Sequence, residues 1–403
     1  MTFKMTEVQS KALKSAIKVN RIISEIHGHE KGPTVVFFGG IHGNEVAGVF
    51  AIEKVLNNLL ESKTAINGSI YGIAGNLQAL GSNHRFIEKD LNRLWTFDHI
   101  YNAHENLRAN EDNEQQDLLD LIEDIIFHNH PPFYFIDIHT TSSQSIPFIT
   151  INDALINRKF SELFPLPVVL GIEEYLEGPL LSYINELGYV SLGIEVGQHD
   201  SIESIHNAEA CIYLALTYAV SLKEDDCNHF RLYFNTLKES SQNNSSFFEV
   251  RYREAIALSD NFKMNGIFHS FQPVKRNDLL AFKNDIPVQA KKEGYIFMPL
   301  YQKQGEEGFF IIQKINPLFL RFSSFLRKLK GYNVLVVLPG IKWKNKKRGI
   351  LEVNLRIAKF FAKKIAHLLG FRAKKIQNNR MLMYNREKVA RTKDYNKEKW
   401  FKK

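Results

Sequence analysis

Val36-Phe37-Phe38-Gly39-Gly40-Ile41-His42-Gly43-Asn44-Glu45 carries an apolar, strand-forming run into a glycine-rich turn that presents a histidine and a glutamate three residues apart. Paired glycines let a backbone turn sharply where a Cβ would clash. Beyond Glu45 the apolar positions 46, 49, 52, 55, 56, 59 and 60 fall at helical spacing, which predicts a helix over 46–60. Strand, tight turn and helix form the unit of an open α/β sheet, whose sites lie at the carboxyl edge of its strands. An imidazole nitrogen and a carboxylate oxygen there are zinc-ligand chemistry, and a short-spaced pair with a distant third ligand suits a catalytic site. His-x-x-Glu also arises by chance, so the pair needs company.

The company comes in three pieces. Phe135-Ile136-Asp137-Ile138-His139-Thr140-Thr141 is a second apolar strand ending in a histidine, with Asp137 placed to orient an imidazole; its plainer reading is a histidine that caps a strand. In Arg85-Phe86-Ile87-Glu88-Lys89-Asp90-Leu91-Asn92-Arg93, the donors Arg85, Asn92 and Arg93 suit a carboxylate or a developing oxyanion, or simply a solvated loop. Leu192-Gly193-Ile194-Glu195-Val196-Gly197-Gln198 sets a lone glutamate among apolar residues. Glu195 there is either a proton shuttle beside a metal-activated water or a salt-bridged core carboxylate.

The rest of the chain sets the frame. With 403 residues, 44% hydrophobic and 24% charged, it has the composition of a soluble globular protein of two or three domains. The run 211–222 is too short to span a bilayer, and two cysteines, Cys211 and Cys227, make no disulfide framework, so a cytoplasmic setting is expected. Strands at 67–75, 133–138 and 188–196 alternate with helices at 113–128 and 203–222, and 77–95 reads as loop. This predicts an α/β fold, a mixed, mostly parallel sheet with helices on both faces, over residues 1–237. The polar run 238–246 reads as a linker, and period-two alternation over 247–315 reads as a small all-β domain. Residues 316–403 hold 25 Lys+Arg against 4 Asp+Glu, net +21, which leaves −13 on the preceding 315. Within this basic extension, 349–369 can be drawn as an amphipathic helix with Leu351, Leu355, Ala358, Phe361, Ile365 and Leu368 on one face, opposite Arg356, Lys359 and Lys363. Such a segment either packs on the body with a solvated basic face or meets an anionic surface, membrane or nucleic acid.

In their order, GGIHGNE, RFIEKDLNR, DIHTT and GIEVG resemble the succinylglutamate desuccinylase/aspartoacylase family, over roughly residues 30–310. That resemblance implies a zinc carboxypeptidase-like fold with one zinc ion bound by His42, Glu45 and His139. It implies that Arg85 holds the oxyanion, that Asn92 and Arg93 grip a substrate carboxylate, and that Glu195 is the general base and then acid. Residues 247–315 correspond to the family's lid. The implied activity is hydrolysis of the amide of an N-acyl amino acid or similar small molecule. A carboxypeptidase-like peptidase, or a binding protein working through its basic extension, are the alternatives; a binder has no need of a general base.

Two departures bear on substrate. The family's further arginine before the catalytic glutamate is missing from 183–188, and residues 160–222 hold nine acids with no Lys or Arg. A lid tyrosine is not evident either: Phe309 and Phe310 stand near its place, with Tyr301 as a substitute. A substrate with one carboxylate and a neutral or cationic remainder is expected. Activity is expected to reside in residues 1–315.

Overall fold

The computed structural model describes residues 5–102, 109–224, 229–257, 259–329, 331–358, 362–377 and 379–402. Eleven strands form one twisted sheet. Reading across it, they are Pro273–Val274, Gly294–Phe297, Glu307–Lys314, Phe247–Ala255, Val168–Leu170, Phe148–Ile151, Val190–Gln198, Phe133–Thr141, Glu30–Gly39, Asn67–Ala74 and Ile22–His27. The middle strands Val190–Gln198, Phe133–Thr141, Glu30–Gly39 and Asn67–Ala74 run parallel, so their connections cross over through helices. Both faces are covered. Ala47–Glu61 and Ile202–Tyr218 bury Ile52, Val55, Leu56, Ala208, Ile212 and Leu216 on one side. Asn110–His128 buries Leu118, Ile122 and Ile125 on the other. Double coverage explains why Phe133–Thr141 is buried along its whole length, with apolar residues at 133–136 in place of alternation.

Three expectations change. Residues 238–246 are not a free linker. The helix Phe230–Ser240 runs into them, Ser241 is buried with its hydroxyl donating to Pro165 O at 2.9 Å, and Phe247–Ala255 pairs in parallel with Val168–Leu170. The open edge of Val168–Leu170 needs backbone partners, and residues 247–249 supply them. The central sheet therefore runs across the boundary placed at 237 and 247, and among the described strands of 247–315 only Phe262–Met264, Leu279–Lys283 and Ile286–Gln289 form a separate, three-stranded sheet. Residues 77–95 include a helix, Leu77–Ser82, whose first turn is closed by Asn76 accepting from Ala79 N at 3.1 Å.

The amphipathic helix drawn over 349–369 is replaced by the strand Ile350–Asn354, a turn and the shorter helix Ala362–Leu368; Lys359 and Phe361 lie outside the described residues, as does Cys227. Leu351 and Val353 are buried on one face, a period of two that the helical pattern also accommodates. Pairing with Ile341–Asn345 on one side and Arg380–Asn385 on the other decides for the strand. Residues 316–403 thus form a four-stranded antiparallel sheet with the helix Pro317–Lys328.

This extension is built into the body. Tyr395 Oη accepts from Val190 N at 2.9 Å and donates to Phe133 O at 2.5 Å, which closes the amino-terminal ends of two central strands. Trp400 packs on Phe160 and donates to Tyr134 Oη at 3.2 Å. Asp153, fully buried, accepts from Arg158, Arg327 and Arg372, and Arg327 also reaches Glu387 at 3.1 Å.

Candidate metal centre

Glu30–Gly39, Phe133–Thr141 and Val190–Gln198 lie side by side with Gly39 opposite Ile138 and His139 opposite Glu195. Their carboxyl ends therefore open at one level. The turn carrying His42 and Glu45 crosses tightly over Leu77–Ser82: Gly40 has φ +72°, and a Cβ on Gly43 would stand 2.1 Å from the Ala79 carbonyl carbon. Only glycine fits either position.

The donor atoms converge. His42 Nδ1 lies 2.8 Å from Glu45 Oε1, and His139 Nδ1 lies 3.0 Å from Glu45 Oε2. At the outer ring nitrogens, Asp90 Oδ1 is 3.0 Å from His42 Nε2 and Asp137 Oδ2 is 2.7 Å from His139 Nε2. A carboxylate behind each imidazole fixes the ring with Nδ1 facing inward. One donor from each of His42, Glu45 and His139 lies within 4.8 Å of the others, and all three residues are buried. Two oriented imidazoles and one carboxylate, desolvated together, fit a zinc ion that keeps a position open for substrate.

The charges point the same way. Burial pushes the Glu45 carboxyl up, but His42 and His139 outweigh it and hold it well below the usual range. Burial pushes His139 down, and Asp137 with Glu45 more than reverses that. Glu195 behaves differently: burial raises it to about 8, with His139 opposing and Glu45 adding to the rise. Its Oε2 has no hydrogen-bond partner. A carboxyl kept near neutrality can take a proton and return it.

One pocket brings together all seven residues expected from sequence: His42, Glu45, Arg85, Asn92, Arg93, His139 and Glu195. Arg85 donates to Asp90 Oδ2 through Nη2 at 3.0 Å and lies 3.5 Å from Glu45 Oε1. Asn92 Oδ1 accepts from Leu180 N at 2.9 Å, which leaves only its amide end for a ligand. Arg93 is engaged by the chain itself, with Nη2 donating to Glu307 Oε2 at 3.0 Å and Nη1 to Asn92 O at 2.9 Å. The loop 298–307 of the lid region roofs the pocket with Met298, Pro299, Leu300, Gln302 and Gly305. No tyrosine lines it among the described residues. Phe310 does, Phe309 is in the lid's own core, and the Tyr301 hydroxyl is spent on Phe268 N at 2.6 Å and Gly266 O at 3.1 Å.

Residues 31–219 match a family model described as the Succinylglutamate desuccinylase/Aspartoacylase catalytic domain. Just under half of the chain is therefore similar to that catalytic domain. Identity to a succinylglutamate desuccinylase of Photorhabdus laumondii is 38% over 68 residues, 17% of this chain and 21% of that protein. A probable aspartoacylase of Nostoc sp. is 29% identical over 194 residues, 46% of this chain and 63% of that protein. The chain thus spans about a fifth of the first relative's length and under two thirds of the second's. In fold, it superposes on a succinylglutamate desuccinylase/aspartoacylase from Rhodobacter sphaeroides with a TM-score of 0.55 at 16% identity, covering 78% of this chain and 94% of that one. A product-bound ectoine utilization protein from Ruegeria pomeroyi gives 0.54 at 17% identity, with the same coverage.

Four contributors to the pocket escaped the sequence reading. Asp90 is a hub that braces His42, Arg85 and Asn92 N, and it stands inside the quoted loop motif, where its place before a short helical turn was the available signal. His199, one residue past the strand that bears Glu195, lies 2.6 Å from Thr140 Oγ1 and 3.2 Å from Gln302 Oε1. Glu173 and Glu307 reach the pocket from distant segments, with no local signature.

Proposed function

We propose that the chain is a zinc-dependent amidohydrolase that removes the acyl group from an N-acyl amino acid or a related small molecule. The observation that carries this reading is the convergence of His42, Glu45 and His139 beside Glu195, whose unpartnered oxygen belongs to the same pocket. A bound zinc ion would supply Lewis-acid polarisation at that point. The chain's own groups do the remainder. Glu195 accepts a proton from the attacking water as the water oxygen bonds to the carbonyl carbon. Arg85, fixed by Asp90, donates to the carbonyl oxygen as negative charge gathers there. Glu195 then passes its proton to the amide nitrogen, the C–N bond breaks, the new carboxyl's proton goes to the amine, and a carboxylate and an ammonium ion leave.

Glu307 bears on the substrate. Its carboxylate holds both Arg93 and Arg253 at 3.0 Å, so the grip foreseen for a substrate carboxylate is already filled from within. Of the nine acids between 160 and 222, Glu173 and Glu195 line the pocket, while Glu307 occupies Arg93 and so takes away a free cation that a second substrate carboxylate would need. Added anionic charge on a ligand is disfavoured there. The reading is therefore a substrate with one carboxylate at most and a neutral or cationic remainder. We also propose a reducing, cytoplasmic setting, in keeping with Cys211 as a buried free thiol.

Metal analysis of the purified protein, paired with a hydrolysis screen over N-acyl amino acids, tests the proposal. About one zinc per chain is expected, with kcat/KM higher for neutral and basic N-acetyl amino acids than for N-acetylaspartate. A metal-free protein inert toward every N-acyl amino acid even after zinc is added would end it. A preference for N-acetylaspartate would keep the chemistry and overturn the substrate class.

A further inference from the structure

The helix Pro317–Lys328 is mounted the wrong way round for a soluble surface. Its polar residues Ser323 and Arg327, four apart, are buried. Ser323 Oγ donates to Leu368 O at 2.7 Å, and Arg327 binds Asp153, Glu387 and His367 O. Leu318, Phe319, Phe322 and Phe325, with Leu329 just beyond the helix, are instead 68%, 61%, 52%, 58% and 64% exposed. Positions 318, 322, 325 and 329 follow the helical repeat, so these side chains share one outward face. The next segment adds Val334 and Val337, also exposed. A contiguous row of large apolar side chains is unlike the single apolar residues that ordinary surfaces show.

The borders of this face are basic. Arg321 and Lys328 are exposed and fall together on one flank of the helix, and Lys314 precedes it. The hairpin that follows exposes Lys344, Lys346, Lys347 and Arg348, while Lys342 pairs with Glu352. An outward Leu/Phe face rimmed by Lys and Arg is the chemistry of a helix that lies in the plane of a bilayer, apolar side down and cations at the headgroups. About 18 Å of helix is enough to lie flat on such a surface. A nucleic acid would make little use of leucines pointing into solvent. We propose that this face docks the protein on an anionic phospholipid membrane, with the pocket-bearing domain carried at the surface.

Flotation of the full-length protein with vesicles tests this. Vesicles of phosphatidylcholine plus phosphatidylserine should carry the protein, and phosphatidylcholine alone should not, with less carried as salt rises. Phe322→Ser with Phe325→Ser should weaken partitioning roughly 100-fold, about tenfold for each phenylalanine. Arg321→Glu with Lys328→Glu should abolish the preference for phosphatidylserine. Because these side chains are exposed and do not line the pocket, both variants should keep the thermal midpoint and hydrolytic rate of the parent. The proposal fails if the parent ignores phosphatidylserine vesicles, or if the phenylalanine variant floats as well as the parent. It fails equally if the parent binds RNA and no vesicle, or forms a dimer that the phenylalanine variant breaks while neither floats.

Discussion

Two of this molecule's clusters of acidic side chains, one around the pocket and one behind it, differ in their counterions. Around the pocket, the carboxylates of Glu45, Asp90, Asp137 and Glu195 stand with two imidazoles and one guanidinium, Arg85. Behind the pocket wall, those of Asp153, Glu249 and Glu387 are matched by Arg158, Arg327 and Arg372. The second set is already neutralised by covalently attached cations in bidentate reach, the arrangement of a structural ion network. The first is short of positive charge and keeps a bare oxygen on Glu195. A shortage of fixed cations beside inward-facing imidazoles distinguishes the candidate metal centre from the brace, although both are clusters of buried acids.

The comparison breaks most visibly at Glu195. Glu195→Gln is expected to lower kcat by roughly 100- to 10,000-fold, the usual worth of a general base, with the same zinc content as the parent. Loss of zinc in that variant would make Glu195 a ligand and erase the distinction between shuttle and donor set.

In the brace, the expected effect is on stability instead. Asp153→Asn leaves three arginines around a neutral amide and should cost about 3–5 kcal/mol, read as a lower denaturation midpoint, with zinc content unchanged in the folded fraction. By the same argument a chain cut after residue 315 strips Asp153 of Arg327 and Arg372, so it should be insoluble or unfolded rather than the active fragment that the charge map alone suggests. Native stability in either protein would show that the network is ornamental.

A smaller effect separates the clusters by pH. Burial raises Glu249, but the hydrogen bond to His367 and the charge of Arg372 bring it to about 2, against its usual value near 4.5. A depressed carboxyl stabilises the fold fully above its unfolded value and stops doing so as pH falls through the folded one. About 3 kcal/mol should therefore disappear between pH 4.5 and pH 2, and Glu249→Gln should flatten that part of the stability profile. An unchanged profile would remove Glu249 from the brace.

How much of this was legible beforehand follows from how local each feature is. The candidate metal centre rests on strand–turn segments whose residues lie close in sequence, so His42 and Glu45, and Asp137 with His139, announced themselves. Register between parallel strands then did the assembly. Glu307 meets Arg93 across 214 positions, and Tyr395 meets Phe133 across 262. No periodicity records such pairings. Residues 349–369 misled because Leu351, Val353 and Leu355 satisfy more than one period, and only the flanking strands resolve them. The charge of the extension was plain, but charge alone did not reveal that Arg327 and Arg372 turn inward while the phenylalanines of 317–328 turn out.

The Tyr395 hydroxyl that closes the strands of His139 and Glu195 also sets a timetable for the newborn chain. Residue 219 ends the stretch matched by the family model, yet the sheet there lacks its last plug until Tyr395 and Trp400 have been synthesised. At roughly 5–20 residues per second on the ribosome, that interval is on the order of ten to forty seconds. Through it, the amino-terminal ends of the strands that carry His139 and Glu195 stand without the cover that Tyr395 and Trp400 give them in the folded chain.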